Sequence, residues 1–371
     1  MKNRINLSFP GFKILDRYIL AKFLGTYIFA IAMITVILVV FDYAERVDDF
    51  TETKAPLSAI IFDYYINFVP FFINQFSGLF TFIAVIFFTS KMAYQTEITA
   101  ILSSGVSFRR LMWPYFVSSM IIAMLSLGLN LWVIPVTSQK QVAFEALYLK
   151  KRQNIQYDRH IYRQIEPELY AYVRGYSGRD QRASFFALEQ YKGNQMVAML
   201  EAAEVKFDPE THHWTAERYV TRSFDTMEGE RFEQHTKLDT LINLDATELG
   251  RVNELVKTMK IGPLNEFIAQ QKAKGSNLIG LLEVERHTRY SYPLATFILT
   301  LIGVSLSSRK VRGGMGLHIG VGITLCFTYI LFGRFFEEFA KGGVMNPALA
   351  VWIPNMIYAI IAVYLYRNAP K

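Results

Sequence analysis

The chain has 371 residues, of which 52% are hydrophobic and 19% are charged, and its formal net charge at pH 7 is +7. The apolar residues are clustered into long windows separated by polar ones, a distribution typical of a membrane protein and not of a soluble domain. The positive charge forms no basic stripe with interleaved aromatic residues, so it indicates basic loops on one side of a membrane and argues against nucleic-acid binding.

Six apolar stretches are long enough to cross about 30 Å of hydrocarbon as helices. The first has no small-residue cleavage site at its end, so we expect a retained span and not a removed signal peptide. The second contains the polar residues Asn74 and Gln75, which are expected to face protein or a wet cavity. In the fifth, Gly316 and Gly320, with Gly322 nearby, predict a face for close helix packing. The predicted spans cover roughly residues 23–41, 68–89, 111–134, 292–306, 317–336 and 349–366.

A short segment at residues 97–110 joins the second and third spans. Its apolar residues share one face of a predicted helix, and small side chains keep the other face thin. Gly105 stands where a glycine would end this helix, and Ser107 stands where a serine would cap the next one. Such a helix suits docking into a groove on another protein, and the alternative is a connector that only lies on lipid. The apolar residues are Ile98, Ile101 and Leu102, and the small ones are Ala100, Ser103 and Ser104.

The polar interval at residues 137–288 has the pattern of a β domain. Short alternating segments separated by turn residues are typical of a sandwich, a jelly roll or an open barrel. Flanking helices are predicted at residues 138–152, between Pro263 and Gly275, and after a cap at Ser276. The predicted strands are residues 169–174, 186–191, 196–201, 205–207, 214–224 and 237–244.

The distribution of basic residues predicts the topology. With six spans, the N-terminus, residues 91–110, residues 309–312 and the C-terminus lie on one side, and all are basic. The positive-inside rule places that side in the cytoplasm, so the acidic loop predicted after the first span and the β domain lie outside. The predicted organisation is residues 1–136 with three spans, residues 137–288 with the β domain, and residues 289–371 with three more spans.

The sequence contains no motif for chemistry of its own. It has no Gly-x-x-x-x-Gly-Lys-[Ser/Thr] phosphate loop, no His-Glu-x-x-His and no Gly-x-Ser-x-Gly, so we expect neither an enzyme nor a bound cofactor. The single cysteine, Cys326, excludes a disulfide within the chain. His212 and His213 fit an exposed strand pair better than a metal site. The charged residues Glu283, Glu285, His287 and Arg289 fit a salt-linked surface helix better than a catalytic group.

Three cations near the predicted outer interface are candidates for contact with an anionic lipid headgroup. Arg334 lies near the outer end of the fifth span, and Arg46 and Lys54 follow the first. The alternative for Arg334 is snorkelling with pairing to Glu337 and Glu338, which follow at helical spacing. For Arg46 and Lys54 the alternative is an ordinary loop position.

Three blocks of this sequence are distinctive. They are Ile14-Leu15-Asp16-Arg17-Tyr18-Ile19, the segment Glu97-x-x-Ala100-x-x-Ser103-Ser104-Gly105-Val106-Ser107, and residues 285–307 with Glu285-x-His287-x-Arg289, Pro293-Leu294-Ala295 and Gly303-Val304-Ser305-Leu306-Ser307. With these blocks the whole chain resembles the LptF/LptG family, the membrane subunits of the bacterial ABC transporter that extracts lipopolysaccharide. The opening Leu15-Asp16-Arg17-Tyr18 and Asp48-Asp49-Phe50 after the first span look more like LptG than LptF.

The resemblance implies a six-span inner-membrane permease with a periplasmic β-jellyroll. It implies a coupling helix around residues 95–106 that docks into a cytoplasmic ATPase, LptB, which binds the ATP. It also implies a second permease, LptF, and a periplasmic bridge of LptC and LptA. The coupling residues would be Glu97, Ala100, Ile101, Ser103, Ser104 and Gly105, and inward-facing strand residues such as Leu169, Ala171 and Val173 would contact lipid.

One position departs from the family pattern. Family members such as LptG often carry lysines at the outer end of the first span, where this chain has Asp42 and Glu45. No lysine site is therefore carried over to this sequence.

Two other functions remain open from the residues alone. A membrane-anchored binding or assembly protein would use the β domain to recognise a partner, but six spans with polar, packable faces exceed what an anchor needs. A secondary transporter is disfavoured because no span carries a buried acid pair or an obviously broken helix. A soluble ATPase among the co-expressed neighbours would separate these alternatives from an ABC transporter.

Overall fold

The computed structural model describes residues 13–149, 157–177, 181–208, 211, 213–225, 229–242, 252–273, 276, 278–309 and 314–369. Within these residues, six helices are long and apolar enough to span a membrane. They are α1 (Ile14–Glu52), α2 (Leu57–Tyr94), α4 (Phe108–Tyr148), α7 (Ile279–Ser307), α8 (Gly314–Lys341) and α9 (Pro347–Arg367). The shorter helices are α3 (Glu97–Ser103), α5 (Val252–Thr258) and α6 (Ile261–Ala273). The protein is therefore a multi-pass helical membrane protein.

Two helices extend beyond their predicted spans. Helix α1 continues through the acidic segment to Glu52, so the loop predicted there was wrong. The segment contains no glycine or proline, and a helix that has already formed propagates through such residues at little cost. In α4 the span continues directly to Tyr148, so the separate helix predicted at residues 138–152 is its continuation. Short π-helical stretches interrupt α2 at Ile60–Tyr65 and α4 at Leu129–Val133.

The chain divides into two compact units. The first comprises the described residues within Met1–Ala44, Tyr65–Pro135 and Glu283–Lys371, and we call it the membrane unit. The second comprises those within Glu45–Tyr64 and Val136–Leu282, and it contains the β-sheet.

Close helix contacts in the membrane unit occur where glycine removes a side chain. A Cβ added at Gly303 of α7 would lie 2.8 Å from Cγ1 of Val85 on α2. A Cβ at Gly322 of α8 would collide with Cδ1 of Ile86 on the same helix α2. By contrast, a Cβ at Gly316 or Gly320 would meet no atom of the described residues within 4 Å. Of the three glycines predicted to pack closely, Gly322 therefore does so within the described part of the chain.

The second unit contains one antiparallel sheet of six strands between α4 and α5. The strands follow one another in sequence order, so every described neighbour pair is a hairpin. This sheet confirms the predicted β domain inserted between the third and fourth spans. The strands are β1 (Tyr157–Glu166), β2 (Leu169–Ser177), β3 (Arg182–Lys192), β4 (Gln195–Phe207), β5 (His213–Asp225) and β6 (Gly229–Leu241).

The strand predictions need three corrections. Strand β1 was missed, the segments predicted at residues 196–201 and 205–207 are one strand, and β6 begins earlier than predicted. One face of the sheet carries a buried apolar cluster in which the rings of Phe186 and Trp214 stack with centroids 6.0 Å apart. Burial of these large side chains, roughly 1.5–3 kcal/mol each, supplies the driving force for the sheet.

The caps predicted for the helices that follow the sheet are present in part. The hydroxyl of Ser276 accepts a hydrogen bond from the backbone N–H of Leu278 at 3.2 Å, directly before α7. Pro263 lies in the first turn of α6, while the predicted stop at Gly275 lies outside the described residues. In the same unit, the amide of Gln139 donates to the carbonyl of Thr258 at 3.0 Å and links α4 to the end of α5.

Candidate functional site

Helix α3 has one packed face and one open face. Ile98 is fully buried, and Ile101 and Leu102 pack beside it against a cluster from α1, α2 and α4 that includes Phe23, Met92 and Phe108. The opposite face is exposed and carries only small side chains, Thr99, Ala100, Ser103 and Ser104, followed by Gly105. The predicted division of this helix is confirmed, and its thin face is free to accept a neighbouring surface from another chain.

Both ends of α3 are fixed by backbone geometry. Thr96, just before it, and Gly105, just after it, have positive φ angles of 62° and 86°. The left-handed conformation suits glycine because it has no Cβ, which is why Gly105 can end the helix. Ser107 then adopts an extended conformation and accepts a hydrogen bond from the N–H of Arg110 at 3.3 Å. These contacts confirm the predicted stop and cap.

Glu97, at the start of α3, is half-buried and points toward α1. Its carboxylate accepts a hydrogen bond from the Tyr18 hydroxyl at 3.1 Å. A hydroxyl donor leaves the carboxylate its negative charge and most of its acceptor capacity. Glu97 can therefore accept further hydrogen bonds from a cation on another chain.

An ion pair that sequence analysis did not predict lies beside α3. The guanidinium of Arg110 donates to both carboxylate oxygens of Asp16, at 2.6 and 2.5 Å. Asp16 belongs to one of the three sequence blocks that resemble the family, and this membership was the sequence signal that pointed to Asp16. Its partner lies 94 positions away, and nothing in the local pattern identifies it.

The membrane unit contains a cavity with a polar side and an apolar side. It measures about 850 Å³ including its open mouth, and residues of α2, α4, α7, α8 and α9 line it. Asn74 and Gln75 lie in its wall, as expected for polar residues in the second span. Asn74 is held by hydrogen bonds, since it accepts from Ser126 at 2.7 Å and donates to Asn130 at 2.8 Å.

Arg334 and Glu337 form the charged part of the cavity lining. The guanidinium lies 3.2 Å from the carboxylate, which also accepts from the Tyr292 hydroxyl at 3.4 Å. The side chain of Arg334 remains 49% exposed, while that of Glu337 is 7% exposed. The predicted pairing with Glu337 is present, and the guanidinium still has donors available to an anionic group.

The other two candidate cations differ from Arg334. Arg46 is 12% exposed, lies 3.7 Å from the buried carboxylate of Glu145, and stacks on the Tyr64 ring at 5.1 Å. It is thus a packed side chain of the second unit and not a loop cation. Lys54 is exposed and has a positive φ of 52°, two residues after the end of α1.

The strand residues proposed for lipid contact occupy one face of β2. Ala171 and Val173 are each 1% exposed within the apolar cluster of the sheet. Leu169 is half-buried and lines an open groove with Leu188 and Leu200 on the neighbouring strands. The three residues alternate along the strand, so they share a face but differ in access.

The remaining charged clusters have structural partners. Arg289 is buried and lies 3.3 Å from Glu285, and Arg286 lies 3.6 Å from Glu283 on the same helix. His213 contacts Asp239 at 2.6 Å, and His212 lies outside the described residues. Within the described part of the chain, no group of three or more His, Cys, Asp or Glu residues is arranged to hold a metal ion.

Comparison with known proteins identifies a family. The chain matches the model of the family described as lipopolysaccharide export system permease LptF/LptG, over residues 17–368. A search of curated proteins found no match.

Proposed function

Since the chain belongs to the lipopolysaccharide export permease family LptF/LptG, we propose that it extracts lipopolysaccharide from the bacterial inner membrane and passes it to a periplasmic bridge. A separate cytoplasmic ATPase of the LptB type supplies the energy. The observation that carries this proposal is the combination of a family match across nearly the whole chain with an exposed, small-residue face on α3.

Helix α3 is the coupling helix in this proposal. Ile98 anchors the helix to the membrane unit, and Ala100, Ser103, Ser104 and Gly105 let the ATPase surface approach closely. Glu97 then meets a basic residue of the ATPase, because its carboxylate retains acceptor capacity beside Tyr18. Closure of the ATP-bound ATPase dimer moves α3 and collapses the lipid cavity between two permease subunits.

The β domain receives the lipid in this proposal. Acyl chains exposed to water cost roughly 0.8 kcal/mol per CH₂, so the path outside the bilayer must be apolar. Leu169 lines an open groove of the sheet, and Ala171 and Val173 continue the same apolar face into its buried cluster. From there, the lipid passes to LptC-like and LptA-like partners.

Among the three cations, Arg334 is the best candidate for contact with a lipid phosphate. Its guanidinium is half exposed at the polar side of the cavity within this chain. An anionic group there can accept hydrogen bonds from two of its N–H donors. Lys54 is a second candidate because it is exposed. Arg46 ranks last, because its guanidinium already packs on Tyr64 and Glu145.

The proposed assembly contains two permeases, with this chain in the LptG-like position and an LptF-like protein opposite. Two ATPase copies bind the cytoplasmic side, where both termini and α3 lie, and the β domain is periplasmic. The even number of spans and the basic loops support this orientation.

The experiment that tests the proposal is affinity purification of the tagged chain from its own membranes in mild detergent. We expect a soluble ATPase and a second six-span protein to co-purify. The complex in liposomes should release lipopolysaccharide to an acceptor in an ATP-dependent manner. Recovery of the chain alone, or only with periplasmic partners, would instead support an anchored binding protein.

The variant Glu97→Lys tests the coupling helix within the same purification. Reversal of the charge places a cation opposite the expected cation of the ATPase, and we expect recovery of the ATPase to fall about tenfold. Asn368→Lys, at an exposed position directly after α9 and outside α3, is the control for an added lysine. Normal ATPase recovery and normal lipid release with Glu97→Lys would remove Glu97 from the site.

A further inference from the structure

The ion pair between Asp16 and Arg110 is unusually enclosed for a pair near the end of two helices. The side chain of Asp16 is 1% exposed and that of Arg110 is 33% exposed. Besides the two hydrogen bonds from Arg110, the Asp16 carboxylate accepts one from the backbone N–H of Lys13 at 2.9 Å. A buried carboxylate is tolerated only when it is paired and hydrogen-bonded, and this one has three donors.

The pair connects two parts of the chain with different roles in the proposed cycle. Asp16 lies in the first turn of α1, and Arg110 lies in the first turn of α4, seven residues after the end of α3. A bidentate contact between a guanidinium and a carboxylate fixes the relative orientation of the two side chains as well as their distance, since both groups are planar. The start of α1 therefore has little freedom to turn relative to the segment that carries α3.

Two further contacts lie on the same side of α1. The Tyr18 hydroxyl donates to Glu97 at the start of α3. Ile19 and Phe23, on the same face of α1, are fully buried in the cluster that also contains Ile98 and Phe108. The polar and apolar contacts together attach the first turns of α1 to the start of α3 and to the first turn of α4.

We propose that the Asp16–Arg110 pair is the link that makes α1 follow the coupling helix, so that ATPase movement at α3 is delivered to the first span. This inference rests on the proposed function, and it makes Asp16 and Arg110 positioning residues because neither contacts the lipid. A buried ion pair is a weak source of stability compared with apolar packing, which favours an orienting role.

The first test compares lipid release with ATP consumption. In liposomes that contain the full complex, Asp16→Asn should lower lipopolysaccharide released per ATP hydrolysed by about fivefold or more, while the ATPase rate is retained. The exchange Asp16→Arg with Arg110→Asp restores the pair with reversed charges and should recover most of the ratio. Arg109→Gln is the matched control, since Arg109 is an exposed neighbour on the same turn.

The second test measures whether the two segments move together. Spin labels at Ala21→Cys on α1 and at Gln95→Cys, directly before α3 and off its thin face, are placed in a Cys326→Ser background, and both positions are exposed. The distance between the labels should stay single and narrow with and without trapped ATP. In Asp16→Asn it should broaden in the ATP-trapped state, because α3 then moves without α1.

The outcomes separate the link from the proposed function. An unchanged lipid-to-ATP ratio in Asp16→Asn, or a lowered ratio with a narrow label distance, overturns the link. If the Asp16→Asn chain does not assemble with the ATPase, the variant Arg110→Lys is used in its place. Lysine keeps the positive charge but cannot make the bidentate contact. If the wild-type chain recovers no ATPase or releases no lipid, the proposed function fails, and the link, which rests on it, fails with it.

Discussion

At the scale of single residues, the membrane unit uses the absence of side chains and the pairing of polar groups to pack its helices. Gly303 lets α7 approach Val85, and a buried network joins Asn355 to Ser291 at 2.8 Å and to Tyr329 at 2.8 Å. Small residues favour close approach of membrane helices, and each hydrogen bond between helices adds a modest amount. Substitutions at these positions should therefore act on stability before they act on transport.

The first residue-scale prediction compares a glycine in close contact with another helix, Gly303, with a glycine that has no such contact among the described residues, Gly320. Gly303→Ala forces a Cβ against the branched side chain of Val85, which cannot rotate away, and should destabilise the protein by about 1–3 kcal/mol. Gly320→Ala meets no neighbour in the chain and should leave stability unchanged or slightly raised. Thermal unfolding of both variants in detergent measures the difference. Equal unfolding temperatures for the two would contradict the close contact at Gly303.

The second residue-scale prediction separates Arg334 from Arg46. Arg334→Gln should lower lipopolysaccharide release about tenfold, since one charge-assisted contact is worth roughly 1.5–3 kcal/mol, and Arg334→Lys should retain part of it. Each glutamine variant removes the cation beside a buried carboxylate, Glu337 or Glu145, so both should lower the unfolding temperature, but Arg46→Gln should leave release by the folded complex unchanged. Release assays and thermal unfolding are run on all three variants. Normal release by Arg334→Gln would exclude a phosphate contact at this residue.

At the scale of elements, α3 and β2 each have one buried face and one opposite face, and the spacing of buried residues differs between helix and strand. Helix α3 buries Ile98 and exposes small residues one turn apart, whereas β2 buries Ala171 and Val173 and turns Tyr172 to the opposite face. Periods of 3.6 and 2 residues decide which side chains are available to a partner and which are available to lipid. A site on either element can therefore be tested with a control on its other face.

The element-scale prediction is that lipid contacts one face of β2. A photo-crosslinking amino acid at Leu169 should capture lipopolysaccharide during ATP hydrolysis, because Leu169 lines the open groove. At Tyr172, which packs against Tyr162 with ring centroids 4.6 Å apart on the other face, capture should be at background. Ala171 and Val173 should give weaker capture than Leu169, since both are closed in the apolar cluster. Equal capture at Leu169 and Tyr172 would argue against a lipid path along this face.

At the scale of the whole molecule, the order of the spans fixes which parts share a side of the membrane. Helix α3 follows two spans and the sheet follows three, so one crossing separates them. The positive-inside rule, applied to the basic residues around α3, predicts that α3 faces the cytoplasm. In the proposed function the sheet is then expected on the periplasmic side.

The whole-molecule prediction tests this topology by labelling. In a Cys326→Ser background, Thr236→Cys on β6 should react with a membrane-impermeant maleimide in intact spheroplasts. Arg109→Cys, just after α3 and off its thin face, should react only after the membrane is opened. Both positions are exposed, so burial does not explain a difference in labelling. The opposite labelling pattern would invert the topology and remove α3 from contact with a cytoplasmic ATPase.

The sequence by itself determined the spans, the β domain and the two faces of α3. These features depend on side chains that are near one another along the chain and on their partition between water and hydrocarbon. Strand β1 was missed because prediction depends on the pattern of apolar residues. Arg163 of β1 is buried, paired with Ala171 on β2, but it is charged and so breaks that pattern. A pattern of apolar residues does not reveal a strand that buries a charge.

Which charged residues are paired and which remain available depends on how the helices and strands pack. Arg46 and Arg334 were both predicted as candidate cations, but Arg46 packs on the Tyr64 ring, whereas Arg334 lines the cavity of the membrane unit and is half exposed. The Asp16–Arg110 pair joins residues 94 positions apart and has no local signature. Contacts of this kind form when separate elements meet, so their partners are set by helix packing and not by the neighbouring sequence.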